Sequence, residues 1–365
     1  MSSSGHGGSL QGVVLVGGEG RRLRPLTDTR PKPMMELVDR PFVAHQLDHL
    51  ARYGVDDIIF SCGYRPDVLR EHFGDGSDRG IRLRYVVDPE PLGTAGAVRN
   101  ASELIEADRV LVFNGDILTD LDLAGLLDQH VSRGAEGTVA LTPVEDPSAY
   151  GLVRLRDDRS VEEFLEKPSP DQLRPGEPYL INAGTYVLER RSLDRIPPGV
   201  KVSIERDTFP LIADDRLLYG YPSEAYWRDI GTPASYLDAH LDVLGGEVRT
   251  EAPEGPVHLG PGASIDPGAT LVGPVSLGAD VRVESGARVS RAVVGAGCRV
   301  GREASVEGSI LGRDVVVEDN AHLSDLVVAG DGARVPAGRA ISGPASIPTG
   351  GEPASVGANQ GDVSG

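Results

Sequence analysis

From residue 259 onward an aliphatic residue returns at every sixth position: Leu259, Ile265, Leu271, Leu277, Val283 and Val289. After a five-residue step the frame resumes at Val294, Val300 and Val306. A second such step leads to Leu311, Val317 and Leu323, and the frame continues through Val335 to Ile341. Small residues (Ala263, Ala269, Val275, Val281, Ala287) take the fifth place of the hexads. Short strands with one apolar residue per rung and glycine-bearing turns are what a parallel β-helix requires. About five coils are expected between residues 255 and 347. Beyond Ile347 the chain is Gly, Ser, Ala and Pro with few apolar residues, so 348–365 is expected to be a disordered tail.

The same segment differs in composition from the rest. No Phe, Tyr, Trp or Lys follows residue 250, and the last aromatic residue is Tyr236. Gly245-Gly246 and Pro253-Glu254-Gly255-Pro256 supply chain breakers at the boundary. Two domains follow, 10–245 and 255–347. The repeat pattern of the second resembles the left-handed hexapeptide-repeat β-helix. Gly (47) and Pro (27) are abundant, yet 39% of the 365 residues are apolar, which excludes general disorder.

A net charge of −19 argues against nucleic acid and against anionic membranes as partners. Two cysteines, Cys62 and Cys298, cannot form a disulfide framework and suit a reducing compartment. No apolar run is long enough to span a bilayer, and Met1–Gly8 lacks the apolar stretch of a signal peptide. A cytoplasmic location is expected. Among the 36 basic residues only Lys32, Lys167 and Lys201 are lysine, a pointer to places where a compact ammonium is wanted.

The first 250 residues alternate strand and helix. Val13–Val16, Ile58–Phe60, Leu83–Val87 and Val110–Phe113 read as buried strands; Pro41–Tyr53, Pro66–Phe73 and Thr94–Ile105 read as helices. This predicts an α/β domain with a Rossmann-like mixed sheet, mainly parallel and covered on both faces. Ligands in such sheets sit beyond the carboxyl ends of the strands. Three loops fall there: Gly17-Gly18-Glu19-Gly20, Asp88-Pro89-Glu90-Pro91-Leu92-Gly93 and Asn114-Gly115-Asp116.

The first loop opens a stretch with five cations in twelve residues: Arg21, Arg22, Arg24, Arg30 and Lys32. Glycine turns expose backbone N–H groups to phosphate, and clustered Arg and Lys neutralise it. A polyphosphate ligand is expected. Neither the P-loop pattern nor G-x-G-x-x-G is met.

Gly18-x-Gly20-x-Arg22-Leu23-x-Pro25-Leu26-Thr27 with Pro31-Lys32-Pro33 resembles the signature of sugar-1-phosphate nucleotidyltransferases. The resemblance continues in order through Pro91-Leu92-Gly93-Thr94-Ala95-Gly96, Phe113-Asn114-Gly115-Asp116, Glu166-Lys167-Pro168, Asn182-Ala183-Gly184 and Trp227-Arg228-Asp229-Ile230-Gly231. It covers residues 12 to 243 and is greatest to the mannose-1-phosphate guanylyltransferase branch. Arg21 departs from the pattern, which has Thr there.

The resemblance implies a reaction in which a sugar 1-phosphate attacks the α-phosphorus of a nucleoside triphosphate and expels pyrophosphate. Asp116 and Asp229 would hold Mg²⁺. Arg22, Lys32 and Asp116 would be the catalytic groups. Gly17, Gly18, Gly20, Asp88, Gly93 and Thr94 would bind the nucleotide, and Gly151, Glu166, Lys167 and Asn182 the sugar phosphate. A nucleophile already anionic needs no His or Cys base, so positioning and charge neutralisation carry the chemistry. Asp88 and Glu90, with no Gln in their loop, suit the N1–H and N2–H₂ donors of guanine. GTP is therefore the expected nucleotide, and the resemblance implies mannose 1-phosphate as the sugar substrate.

Glucose-1-phosphate thymidylyl-, uridylyl- or adenylyltransferase and heptose-1-phosphate guanylyltransferase are the alternatives within this chemistry. A β-helix acyltransferase would need a catalytic histidine, and His258 and His322 are the only candidates there. A silent nucleotide-sugar-binding paralogue would have no need of Asp116, Asp229, Lys32 and Lys167. A β-helix with flat, repetitive faces also predicts a homo-oligomer.

Overall fold

A computed structural model describes residues 8–174, 176 and 178–354. β1 (Leu10–Leu15) leads, through two 3₁₀ turns at Arg21–Leu23 and Lys32–Met34, into a small hairpin of β2 (Glu36–Leu37) and β3 (Arg40–Pro41). Then come α1 (Phe42–Arg52), β4 (Asp57–Cys62), α2 (Pro66–Phe73), β5 (Arg82–Val87), α3 (Gly93–Asn100) and β6 (Arg109–Asn114). β7 (Ile117–Thr119), α4 (Leu123–Arg133), β8 (Gly137–Val144), β9 (Gly151–Leu155), β10 (Val161–Glu166) and β11 (Tyr179–Glu189) follow. α5 (Phe209–Asp214), β12 (Leu218–Pro222), β13 (Trp227–Asp229) and α6 (Pro233–Gly245) complete the first domain.

The sheet runs β10-β9-β11-β6-β1-β4-β5, with β8 paired to β11 and β12. β6, β1, β4 and β5 are mutually parallel, while β11 enters antiparallel to β6. The sheet is thus mixed. Val13, Val14, Ile58, Ile59, Phe60, Val110 and Val112 are fully buried, which is why these strands read as unbroken apolar runs. The helix expected over Thr94–Ile105 begins at Gly93 and tightens into a 3₁₀ turn at Ala101–Leu104.

In the second domain three parallel sheets of six, five and five short strands stack coil upon coil. Leu259, Leu277, Val294, Leu311, Ala329 and Ile347 are in register in one sheet. Ile265, Val283, Val300, Val317 and Val335 align in the next. The architecture is consistent with the left-handed β-helix expected. Both five-residue steps fall at the same corner, where Arg291 (φ 47°) and Gly308 (φ 52°) turn the chain in one residue fewer. The frame loses a residue without disturbing the ladder.

Residues 348–351, the start of the expected tail, are held by the β-helix. Gly350 N donates to Asp331 O and Arg334 N to Gly351 O, which extends the last coil, because backbone groups at the coil's edge need partners. Residues 355–365 of that tail lie outside the described residues. The two domains share an apolar interface: Val293, Ile310 and Val328 of the β-helix pack on Leu23, Leu26, Met35, Tyr236, Leu237 and Leu241.

Candidate active site

The carboxyl ends of β1, β4, β5 and β6 open into a cleft of about 520 Å³ lined by Gly17, Gly18, Lys32, Asp88, Gly93, Thr94 and Asp116. Each loop reaches it for a local reason. Gly17 and Gly63 meet backbone to backbone; a Cβ on Gly63 would stand 2.8 Å from the Gly17 carbonyl oxygen. Gly20 is left-handed (φ +65°), so its carbonyl can accept from the Thr27 hydroxyl at 2.9 Å and start the 3₁₀ turn that bears Arg22. Gly93 (φ +70°) lies so close to Val202 that a Cβ would stand 2.5 Å from its carbonyl oxygen. The segment after Val200 is thereby strapped to the start of α3, with Ala95 N and Gly96 N both donating to Val202 O.

Asp116 and Asp229, 113 positions apart in the chain, are brought together by a two-stranded pairing. β7 and β13 run antiparallel with Asp229 opposite Ile117, and Ile230 N donates to Asp116 O at 3.0 Å. Lys32 Nζ stands between the two carboxylates, 2.9 Å from Asp116 Oδ2 and 3.8 Å from Asp229 Oδ1. Its side chain is only 9% exposed, so this ammonium has little but the carboxylates to answer it. Arg22 approaches from the solvent side, 3.9 Å from Asp229 Oδ2, over Gly231, where a Cβ would collide with the guanidinium. Burial and the neighbouring Asp116 carboxylate push the Asp229 carboxyl above the ordinary aspartate range, with Lys32 and Arg22 opposing.

This pair suits a hard divalent cation. Asp229 Oδ1 is buried with no hydrogen-bond donor, an orphan that a cation would satisfy. Among the described residues no three His, Cys, Asp or Glu converge on a common point. Two carboxylates, with phosphate oxygens and water completing the shell, are a donor set typical of Mg²⁺.

The sugar-phosphate candidates form a second group. Gly151 opposes Glu166 in the β9–β10 ladder, and a Cβ there would stand 3.0 Å from Glu166 Oε2. Glu166 is half-buried, and burial together with Glu205 raises its carboxyl above the usual glutamate range. Lys167 is exposed and holds a left-handed backbone (φ 52°), uncommon for a residue with a side chain. Asn182 Nδ2 donates to the Tyr186 hydroxyl at 2.9 Å, and its Oδ1 accepts from Gly184 N at 2.9 Å.

Asp88 accepts from Asn100 Nδ2 at 2.9 Å, and burial raises its carboxyl. Thr94 turns its hydroxyl to Glu205 Oε2 at 2.9 Å and accepts from Ile204 N. Arg21 is 75% exposed and pairs at 2.6 Å with Glu19, a residue of the cleft wall. His258 pairs with Asp39 across the domain interface, and His322 bonds Ser305; neither lines the cleft at the strand ends.

Several residues of the site carry no recognisable motif. Glu205 links Thr94, Ser203 and Tyr186. Gln46 donates to the carbonyls of Asn114 and Ile117, bracketing the Asp116 turn. Tyr150 meets Trp227 edge to face at 5.5 Å, and the indole donates to Ala183 O. For Tyr150 the clue would have been an aromatic residue with a polar tip near a predicted ligand loop; Glu205 and Gln46 offer none.

A nucleotidyl transferase family model matches residues 11–245, and a GMPPB C-terminal domain model matches residues 253–350. The chain belongs to the nucleotidyl transferase family. The mannose-1-phosphate guanylyltransferase of Mycobacterium tuberculosis is 42% identical over 295 residues, 78% of this chain and 79% of that protein. The mannose-1-phosphate guanyltransferase of Schizosaccharomyces pombe is 36% identical over 274 residues, 72% of this chain and 73% of that one. Among solved structures, HddC from Yersinia pseudotuberculosis complexed with GMP-PN superposes with a TM-score of 0.53. It is 29% identical and covers 63% of this chain and 97% of its own.

Proposed function

We propose that this enzyme transfers a guanylyl group from GTP to mannose 1-phosphate, releasing pyrophosphate and GDP-mannose. The observation that carries the reading is the convergence of Lys32 with Asp116 and Asp229 at the mouth of the nucleotide-sized cleft. The guanylyltransferase relatives at 42% and 36% identity support the choice of substrates. The half-buried Asp88 in the cleft wall supplies an acceptor for guanine N1–H and N2–H₂.

In this reading the glycine turn after β1 and the start of α3 hold the nucleotide, with Gly17, Gly18, Gly20 and Gly93 letting backbone N–H groups approach the phosphates. Arg22 faces the departing pyrophosphate. Lys32 meets the charge that gathers on the α-phosphoryl oxygens, already desolvated and therefore effective. Glu166 and Asn182 orient sugar hydroxyls, and the exposed Lys167 grips the sugar phosphate. The sugar phosphate oxygen attacks the α-phosphorus in line while the bond to the β,γ-diphosphate breaks. No side-chain base is required, because the nucleophile is an anion near neutral pH. Asp116 and Asp229 would hold Mg²⁺, which when bound supplies charge neutralisation at the transferred phosphoryl group.

No helix among the described residues is long and apolar enough to cross a membrane. We place the reaction in the cytoplasm, in keeping with two buried free thiols. Homo-oligomer formation through the β-helix is part of the proposal; Leu259 (47%) and Val272 (38%) stand exposed on its first coil.

Pyrophosphate release from a panel of GTP, UTP, dTTP and ATP against mannose, glucose and heptose 1-phosphates, with and without Mg²⁺, tests the proposal. The pair GTP and mannose 1-phosphate should be preferred, and the reaction should require Mg²⁺. Comparable turnover with UTP or dTTP would refute the base assignment, and no release from any pair would refute the transfer itself.

A further inference from the structure

The loop from Arg22 to Glu36 carries two cations of the site, and the β-helix holds it along its length. Leu23, Leu26 and Met35 are buried against Val293, Ile310 and Val328 of the outer face of the β-helix. Polar contacts reinforce the packing. Thr29 Oγ1 and Arg30 Nη2 donate to Asp331 Oδ2 at 2.5 and 2.7 Å, and the other Asp331 oxygen accepts from Arg313 N at 2.8 Å. Arg313 in turn pairs with Glu36 at the far end of the loop. Thr349 reaches Asp28 Oδ2 at 3.2 Å. Arg30 and Asp331 are 16% and 17% exposed, so their ion pair is shielded from solvent.

A loop anchored at its middle by a shielded, three-donor carboxylate has little freedom left at its ends. One end sets Arg22 beside Asp229, and the next residues after Arg30 place Lys32 between the two carboxylates. We propose that Asp331 is a positioning residue of the transfer reaction, and that the β-helix is part of the framework of the active site as well as a surface for assembly. The inference rests on the reading of Lys32 as the group that meets the nucleotide phosphates. It goes beyond that reading by drawing a residue roughly 300 positions away into the rate.

The test uses the full chain with GTP and mannose 1-phosphate. Asp331→Ala removes the anchor, and Thr29→Val removes one of its three donors. Displacement of a catalytic group by about 1 Å costs on the order of a hundredfold in rate. Asp331→Ala should therefore lose about tenfold to a hundredfold in kcat. Its KM for mannose 1-phosphate should stay within about twofold, because Glu166, Lys167 and Asn182 stand on β10, β11 and the turn after β10. Thr29→Val should shift kcat the same way by about fivefold, the loss of one hydrogen bond. Glu318→Ala breaks the Arg334–Glu318 pair on another face of the same domain and should leave both parameters unchanged.

A folded Asp331→Ala or Thr29→Val enzyme with wild-type kcat overturns the proposal, as does an equal loss in Glu318→Ala. If Asp331→Ala does not fold, Thr29→Val decides alone. A wild-type enzyme inactive with every pair of substrates would bring down the functional reading, an outcome separate from a loss seen only in these variants.

Discussion

Gly115→Ala tests whether the turn after β6 places Asp116. Gly115 is buried at the end of β6, and its N–H donates to Leu15 O at 3.0 Å. A Cβ there would lie 2.4 Å from that same carbonyl oxygen and 3.1 Å from its carbon. Ordinary contact between such atoms needs some 3.4 Å or more, so the turn must shift by about 1 Å. The obstacle is the backbone of β1, an inner strand of the parallel group, which cannot yield as a flexible side chain would. The shift falls on the next residue, Asp116, and opens its 2.9 Å contact with Lys32. Overpacking of this kind costs about 1–3 kcal/mol of stability, which a domain of this size survives. The effect on rate should be larger, about a hundredfold in kcat. The Mg²⁺ concentration needed for half activity should rise with it. Continuous detection of pyrophosphate, with thermal unfolding as the check on folding, measures both. A folded Gly115→Ala enzyme with kcat within about threefold of wild type would mean that Asp116 is not held by this turn, or takes no part in the reaction.

Two further outcomes follow from the side chains themselves. Asp88→Asn should raise KM for GTP by about tenfold or more while leaving the poorer nucleotides unchanged, since a carboxylate acceptor for guanine is replaced by a half-donor; an unaltered ratio of GTP to UTP turnover would remove Asp88 from base recognition. His45, His49, His130 and His240 are each pushed down by burial to about 4, from 6.5. Folded, they stay neutral where the unfolded chain takes up protons. Their contribution is therefore complete above pH 6.5 and is lost as pH falls from 6.5 toward 4, by about 1.4 kcal/mol per histidine per pH unit. Against a total of about 5–15 kcal/mol, four such groups should bring acid unfolding well above pH 4. Denaturant midpoints followed by Trp227 fluorescence at several pH values would show it, and a flat profile between pH 6.5 and 5 would contradict it.

The sequence was most legible where the physics is local. One aliphatic residue in six must point inward in every rung, so the β-helix is written in residues six apart, and even its two five-residue steps sit where a left-handed residue shortens a corner. Glycines of the loops beyond the strands are similarly readable: Gly17, Gly93 and Gly115 stand where backbone comes within contact of backbone. Arg21 shows the limit. It sits among four other cations in sequence, yet two positions away Glu19 claims it, and it faces solvent. Charge in a string says nothing of direction.

Residue types and order by themselves determined the α/β-then-β-helix architecture and the loops beyond the strand ends, because strand periodicity and turn residues act over a few positions; the class of chemistry came from motifs that resemble those of the nucleotidyltransferases. Tertiary structure alone decided three things. It set Lys32 between Asp116 and Asp229, which are joined by the β7–β13 pairing. It recruited Glu205 and Gln46, which carry no motif. It also laid the loop from Arg22 to Glu36 on the β-helix, with Asp331 at the centre of the contact. All three are contacts between segments 68 or more residues apart. Such contacts form only when burial of the shared apolar faces has already fixed where each segment lies, and that is a property of the packed chain as a whole.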